Sequence, residues 1–359
     1  AAMHGHAYDT ENCPGYVTYG NIRIRCWKTS GHGTLGLQES IQRSCNCYFM
    51  KVANEIGSQK MLNSFELLGL GKKTGIELPS ESAGFIPGNR HWRQQMRPGE
   101  SVTPSITGMM SIGQSDSAAT PLQMAAVISA IANRGQYYKP RIVKRVIHPR
   151  QGILVQNRPN LKVNLLQEGL KPEHLERIRK GMWMAANVQG GTAYRAMTPL
   201  RVGGIEVAAK TGTAQTVDMG LKSQDAWLVS FAPYENPKYV VVVAVKRGAH
   251  GGSVAGPLVQ LILRGLFAKD NDGLELPLTK MKESEGDFIV REKVELPDEG
   301  GIIDLAYEDE SETAYEANDI LLAKPVPDTP SQRIPKPTIK QEADAEGSKA
   351  PKAIIIIEE

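Results

Sequence analysis

The sequence predicts an α+β fold, an antiparallel sheet flanked by helices. Three observations predict it. Residues 205–216, 226–234 and 239–246 are consecutive apolar, β-rich segments. Their connections are short, with the turn-like Pro233-Tyr234-Glu235-Asn236-Pro237 between the last two, which suits a meander. Helical patterns at 121–133, 172–188 and 254–267 supply layers to cover the sheet.

In chain order, residues 1–34 are rich in Gly, Tyr and Cys and read as a turn-rich segment. Leu37, Ile41, Cys45 and Tyr48 then recur at spacings of three and four, one face of a helix. Ser44, Cys45 and Asn46 mark a break in it, because Ser and Asn side chains compete for backbone hydrogen bonds. Helical stretches at 49–56 and 59–68 end at Gly57 and at Gly69-Leu70-Gly71. Residues 74–107 hold four prolines and read as loop. The helix at 121–133 has Thr120 as its cap, Pro121 at its first position and Gly135 as its stop. Residues 142–148 and 151–156 read as a hairpin. The helix at 172–188 carries Glu173 and Glu176 in its early turns, where the helix dipole favours negative charge. The valine-rich 239–246 reads as a central strand, and 254–267 as a closing helix.

Charge divides the chain. The first 280 residues carry 33 basic and 19 acidic groups, and Met281 onward carries 9 basic and 20 acidic. A basic body of residues 1–270 is therefore followed by an acidic, weakly structured extension, 271–324, and a Pro-, Lys- and Glu-rich tail, 325–359, expected to be disordered. No apolar run reaches the roughly 18–20 residues that span a bilayer. The basic residues are scattered, without aromatic interleaving or a helix stripe, which argues against nucleic acid.

Lys-Thr-Gly occurs at Lys73-Thr74-Gly75 and at Lys210-Thr211-Gly212. The first follows two glycines and reads as a solvated loop. The second lies within a strand pattern. On an edge strand it would present unpaired backbone groups, with Gly212 leaving room for a ligand backbone to lie alongside. Ser44-Cys45-Asn46 precedes it, at the helix break. Ser-x-Asn before a strand-borne Lys-Thr-Gly matches two of the three motifs of the penicillin-binding proteins and serine β-lactamases.

The resemblance extends further. Residues 12–56, Ser111–Asn133 (SIGQSDSAATPLQMAAVISAIAN), 207–215 (VAAKTGTAQ), 225–233 (DAWLVSFAP) and 248–257 (GAHGGSVAGP) resemble class B penicillin-binding proteins, most closely the elongation type, penicillin-binding protein 2. Similarity covers about residues 10–270. Ser115 and Ala209 stand where the family commonly has Gly. The resemblance implies the penicillin-binding transpeptidase fold, with an all-helical subdomain carrying the Ser-x-Asn. It also implies a D,D-transpeptidase that attacks the carbonyl between two D-alanines of a peptidoglycan stem peptide. In that scheme Ser44 relays a proton, Asn46 holds the substrate amide, and Lys210 adds positive field. Thr211 and Thr213 bind the terminal carboxylate of the peptide or of a β-lactam, beside Gly212. The Thr213 N–H forms half of the oxyanion hole.

A serine nucleophile needs a base, which the family supplies as Ser-x-x-Lys. No serine of this sequence is followed three places on by lysine. The sequence is therefore expected to be an N-terminally truncated transpeptidase, inactive alone. The resemblance places the parent protein at the periplasmic face of the bacterial inner membrane, with a membrane glycosyltransferase and other elongation-complex proteins as partners. The rivals are a serine β-lactamase or β-lactam sensor on the same fold, and a non-catalytic scaffold.

Cys13, Cys26, His32 and Cys45 are spaced C-x12-C-x5-H-x12-C, a Cys3His donor set suited to structural zinc. By resemblance they occupy the positions of a zinc site found in some relatives. A Cys13–Cys26 disulfide is the alternative, natural in an oxidising compartment. Cys47 reads as a small buried apolar residue.

Overall fold

In a computed structural model, which describes residues 1–218, 221–270 and 354–356, the start of the chain folds as four short strands. These are β1 (Glu11–Cys13), β2 (Tyr16–Tyr19), β3 (Ile22–Arg25) and β4 (Gly33–Leu35). β1 pairs with β4 and β2 with β3, both antiparallel. Strands of three or four residues are too short to display a period of two, so the sequence reads there only as turns. The acidic extension and nearly all of the tail lie outside the described residues.

Helices α1 (Leu37–Gln42), α2 (Asn46–Ile56) and α3 (Ser58–Leu67) follow, with the expected break between the first two. The stretch read as loop runs into α4 (Pro104–Ser111), whose first turn lies inside it. The four prolines conceal it, but Pro104 sits at the first turn, where its missing N–H costs nothing. Thr103 caps it by accepting from the Ile106 N–H. Helix α5 (Pro121–Ala132) begins in a reciprocal capping box between Thr120 and Gln123.

Between these helices Ser115 has φ +64°, in the left-handed region where its family position commonly has glycine. Relief of that strain exceeds the entropy that glycine adds to the unfolded chain. Ser115→Gly is therefore expected to stabilise the protein by roughly 0.5 to 1 kcal/mol. Equilibrium denaturation checks this; unchanged or lower stability would contradict the strain argument.

Next come β5 (Gln136–Tyr138), β6 (Arg145–His148), β7 (Gly152–Gln156) and β8 (Leu161–Asn164). β6 and β7 form the expected hairpin, and β5 pairs with β8. Helices α6 (Pro172–Asn187) and α7 (Tyr194–Val202) lead into the main sheet. Its strands are β9 (Ala208–Asp218), β10 (Leu221–Ala232) and β11 (Tyr239–Val245), followed by α8 (Gly256–Asp270). A last strand, β12 (Ile354–Ile356), adds to β6.

The main sheet is an antiparallel meander ordered β11-β10-β9. Two details differ from the sequence reading. The polar segment expected as a loop between the first two strands is mostly strand, since pairing runs from Ala208↔Phe231 out to Asp218↔Leu221. Valine-rich β11 is an edge strand among the described residues, and β10 is central. Valine content reports coverage of the two faces and says nothing about hydrogen-bonded neighbours. Alternation along the strands explains the coverage. Ala208, Val229 and Phe231 join the core that contains Ala126 and Ile128 of α5 and Leu175 and Met182 of α6. Ala209, Ala226, Leu228 and Val241 face the other way, onto Met197 and Leu200 of α7 and Val259 and Leu263 of α8. Each such Leu or Phe contributes roughly 2 kcal/mol on burial.

The stretch Gly251–Ala268 is long and apolar enough to suit a bilayer, with mean hydropathy 1.2. Val259, Leu263 and Phe267 nonetheless bury themselves against the sheet, while Leu258, Leu261 and Ile262 face outward.

Helix α6 ties the layers together. Buried Arg179 donates to the Ile131 and Ala132 carbonyls at the end of α5 and to the Tyr234 carbonyl after β10. A guanidinium has enough donors to satisfy all three at once. At Gly181, α1 and α6 touch so closely that a Cβ would lie 2.9 Å from the Ile41 Cβ.

Candidate active site

Helix α1 runs out of hydrogen-bond partners at Arg43, and the chain turns. The Ser44 N–H still reaches the Ile41 carbonyl at 3.3 Å, and the Cys45 N–H reaches Ser40 at 3.0 Å. Ser44 itself sits at φ +53°. A non-glycine residue there costs about 1 kcal/mol and persists only where its surroundings over-determine it. Asn46 then opens α2, so the Ser-x-Asn lies across the junction of two helices.

Lys210, on β9, meets that junction. Its ammonium donates to Ser44 Oγ at 2.7 Å and to the Thr211 carbonyl. The two residues come from distant parts of the sequence. Burial pushes the Lys210 amine down to about 8, so near neutrality it is still mostly charged. Ser44 thus accepts from a cation and keeps its own proton to pass on.

β9 is an edge strand among the described residues, as the motif requires. Thr211 is buried and donates to Thr192 Oγ1 at 2.7 Å. Thr192 in turn donates its backbone N–H to the Gln42 carbonyl at the end of α1, at 3.2 Å. This loop therefore fixes β9 relative to the Ser44 turn. Thr213 is exposed, and its carbonyl accepts from Gln114 Nε2 at 3.2 Å. In an extended strand the N–H and C=O of one residue project to the same side. The Thr213 N–H therefore faces the open edge, where an oxyanion donor has to be. The backbone lying against Gly212 is the chain's own: a Cβ on Gly251 would meet the Gly212 and Trp227 carbonyls at 2.5 and 2.3 Å.

Behind Ser44 the structure gathers Cys13, Cys26, His32 and Cys45, with all four donor atoms within 4.8 Å of one another. The His32 Nδ1 lies 3.5 Å from Cys13 Sγ and 3.6 Å from Cys26 Sγ. All four cysteines are buried free thiols, so the Cys13–Cys26 disulfide is not formed. Hydrogen bonds from the Cys45 and Cys47 side chains hold the Cys26 thiol well below its ordinary pKa, while the bond to Cys26 pushes Cys45 up to about 12. Burial lowers the His32 imidazole, which favours its neutral, ligating form. Cys47 is buried as expected, but it also bonds to Cys26, Cys45 and Cys13, which raises its own pKa. Three soft sulfurs and one imidazole nitrogen converging on a point fit a tetrahedral ion of the zinc type.

Comparison with known proteins fits this geometry. Residues 2–264 match the model of the penicillin binding protein transpeptidase domain. The chain belongs to this family. The peptidoglycan D,D-transpeptidase MrdA of Acinetobacter baumannii is 34% identical over 256 residues, covering 67% of this chain and 36% of the relative. Stage V sporulation protein D of Bacillus subtilis is also 34% identical, over 258 residues, 70% of this chain and 37% of the relative. The structure of a complex between penicillin-binding protein PBP2 and MreC from Helicobacter pylori superposes with a TM-score of 0.62 at 31% identity, covering 73% of this chain and 46% of that one. The chain thus spans well under half the length of the curated relatives it matches.

Within this transpeptidase domain the expected residues Ser44 and Lys210 are in contact, and Thr211, Gly212 and Thr213 follow Lys210 along the open edge. Asn46 is two residues from Ser44, and the Cys3His set lies immediately behind. Thr192, Gln114, Gly251 and Trp27 were not singled out from the sequence. Thr192 lies in a loop without a motif. Trp27 carried one available signal, its place next to Cys26.

Proposed function

We propose that this chain forms the substrate-binding part of an elongation-type peptidoglycan D,D-transpeptidase. The Lys210–Ser44 contact beside the open edge of β9 carries this reading. A stem peptide ending in D-alanyl-D-alanine adds along β9 as an extended strand. Its terminal carboxylate meets Thr213, the Lys210 charge and Thr211, whose hydroxyl turns its proton from Thr192 to the carboxylate while Thr192 donates back to it, and Asn46 receives its amide. A serine hydroxyl attacks the penultimate D-alanine carbonyl, forming an ester and releasing the terminal D-alanine as the amine. An amine of a second stem peptide then displaces the serine and makes the cross-link. Ser44 shuttles the proton between the amines and the base, while the Thr213 N–H stabilises the developing oxyanion. The attacking serine and its lysine base would form a Ser-x-x-Lys pair, which residues 1–359 do not contain.

Cys13, Cys26, Cys45 and His32 Nδ1 would hold a structural zinc ion, which fixes the turn carrying Ser44. The Helicobacter relative was solved with MreC, and a protein of that kind, with a membrane glycosyltransferase, is the expected partner. The site of action is the periplasmic face of the inner membrane.

Fluorescent penicillin tests the reading. The protein expressed from its complete open reading frame should take up one stable label, on a single serine. Residues 1–359 alone should take up none, and a labelled serine among them would overturn the assignment of the nucleophile. Rapid penicillin hydrolysis without a stable adduct would select a β-lactamase instead.

A further inference from the structure

We infer that Trp27 is a positioning residue for Ser44, coupling the Ser44 turn to the cysteine–histidine cluster. The inference rests on the reading of Ser44 as a proton relay. The Trp27 indole N–H is shared between two consecutive carbonyls, Arg43 at 2.9 Å and Ser44 at 3.1 Å. These belong to the two peptide units on either side of Ser44, the one left-handed residue of the helix junction, so the single donor restrains both and with them the direction in which Ser44 Oγ points at Lys210. The same indole stands edge-on to His32, with centroids 5.1 Å apart and planes at 65°.

Chain connectivity reinforces both contacts. Trp27 directly follows Cys26 and Ser44 directly precedes Cys45, and both cysteines belong to the four-donor set. Trp27 and Ser44 are thus each one peptide bond from a cysteine whose sulfur a metal ion would hold. Trp27 is 44% exposed, so water can replace its N–H at the two carbonyls. Loss of the indole should then misaim Ser44 without unfolding the protein, and misplacements of about an ångström are costly in rate.

The test uses protein expressed from the complete open reading frame and labelled with 5-fluorotryptophan. The Trp27→Phe variant identifies the Trp27 fluorine resonance by its absence. That resonance should move when Zn(II) is added to metal-free protein. The same variant should lower the acylation rate constant with fluorescent penicillin about tenfold. Zinc content, melting temperature and the pre-acylation dissociation constant should stay at their wild-type values. Acylation at the wild-type rate, or a rate lost only in step with melting temperature, overturns the positioning role. A Trp27 resonance indifferent to zinc overturns the coupling. If wild-type protein takes no label, the transpeptidase reading fails, while the fluorine shift still decides the link between cluster and turn.

Discussion

Replacing Lys210 by Met should cut the rate of acylation by penicillin by about 100- to 1000-fold, the range seen when a pre-organised charge or donor is removed from a developing oxyanion. Methionine keeps most of the volume and removes the cation that touches Ser44 Oγ. The fold should not suffer. Burial lowers the folded-state pKa of Lys210 to about 8, below the ordinary 10.5. The unfolded chain thus binds the proton more tightly, and the charged lysine costs stability at neutral pH. That cost fades as pH rises through about 8 towards 10.5. The variant should therefore be as stable as the wild type at pH 7, or more so, and the difference should close only as pH passes about 10.5. Activity should run the other way. The wild-type rate should fall as pH rises through about 8, and this alkaline limb should be missing from the variant. A Lys210→Met protein that is slow only because it is less stable would refute the electrostatic role.

Disrupting the cysteine–histidine cluster should have the second largest effect. Cys26→Ser is expected to take bound zinc from one equivalent to none. Structural zinc contributes many kcal/mol where it closes a fold, and a few kcal/mol lost from a domain this size moves the melting temperature by on the order of 10 °C. The ligands bind as thiolates and neutral imidazole, so this stability is present at neutral pH and lost as acid protonates them. Cys47→Ala is the control. Cys47 bonds to the cluster sulfurs from outside the four-donor set, so its loss should leave zinc at one equivalent. Metal analysis and thermal melts decide the matter; zinc-free wild-type protein with an unchanged melt after Cys26→Ser would remove the metal from the account.

What the sequence made legible follows the range of each physical signal. Periodicity and capping residues are local, so α5 with Thr120 and α6 with Pro172 are readable almost to the residue. Helix α4 was concealed because proline serves both loops and first helical turns. β11 lies at the edge among the described residues, where its sequence reads as central, because valine content cannot distinguish a covered edge strand from a central one. In the site, Ser44 and Lys210 were legible through motif order, and the four-donor set through residue type. The contacts that set their separation were not. The Thr211–Thr192 bond and the Gln114 amide on Thr213 join ordinary polar residues far apart in the chain, and no spacing rule marks such pairs.

The close approach at Gly181 has a consequence for how the site can vary. Helix α6 lies with α1 on one side and β9 on another; α1 leads directly into the Ser44 turn, and β9 carries Lys210. Helix α6 is the spacer that sets the width of the cleft. A methyl group at Gly181 would press on Ile41 and lever α1, with Ser44, away from β9. The dimensions of the reacting centre are thus written partly in a buried helix that touches no substrate. Side chains along α6 can therefore alter the Ser44–Lys210 separation while every residue of the Ser-x-Asn and Lys-Thr-Gly motifs stays in place.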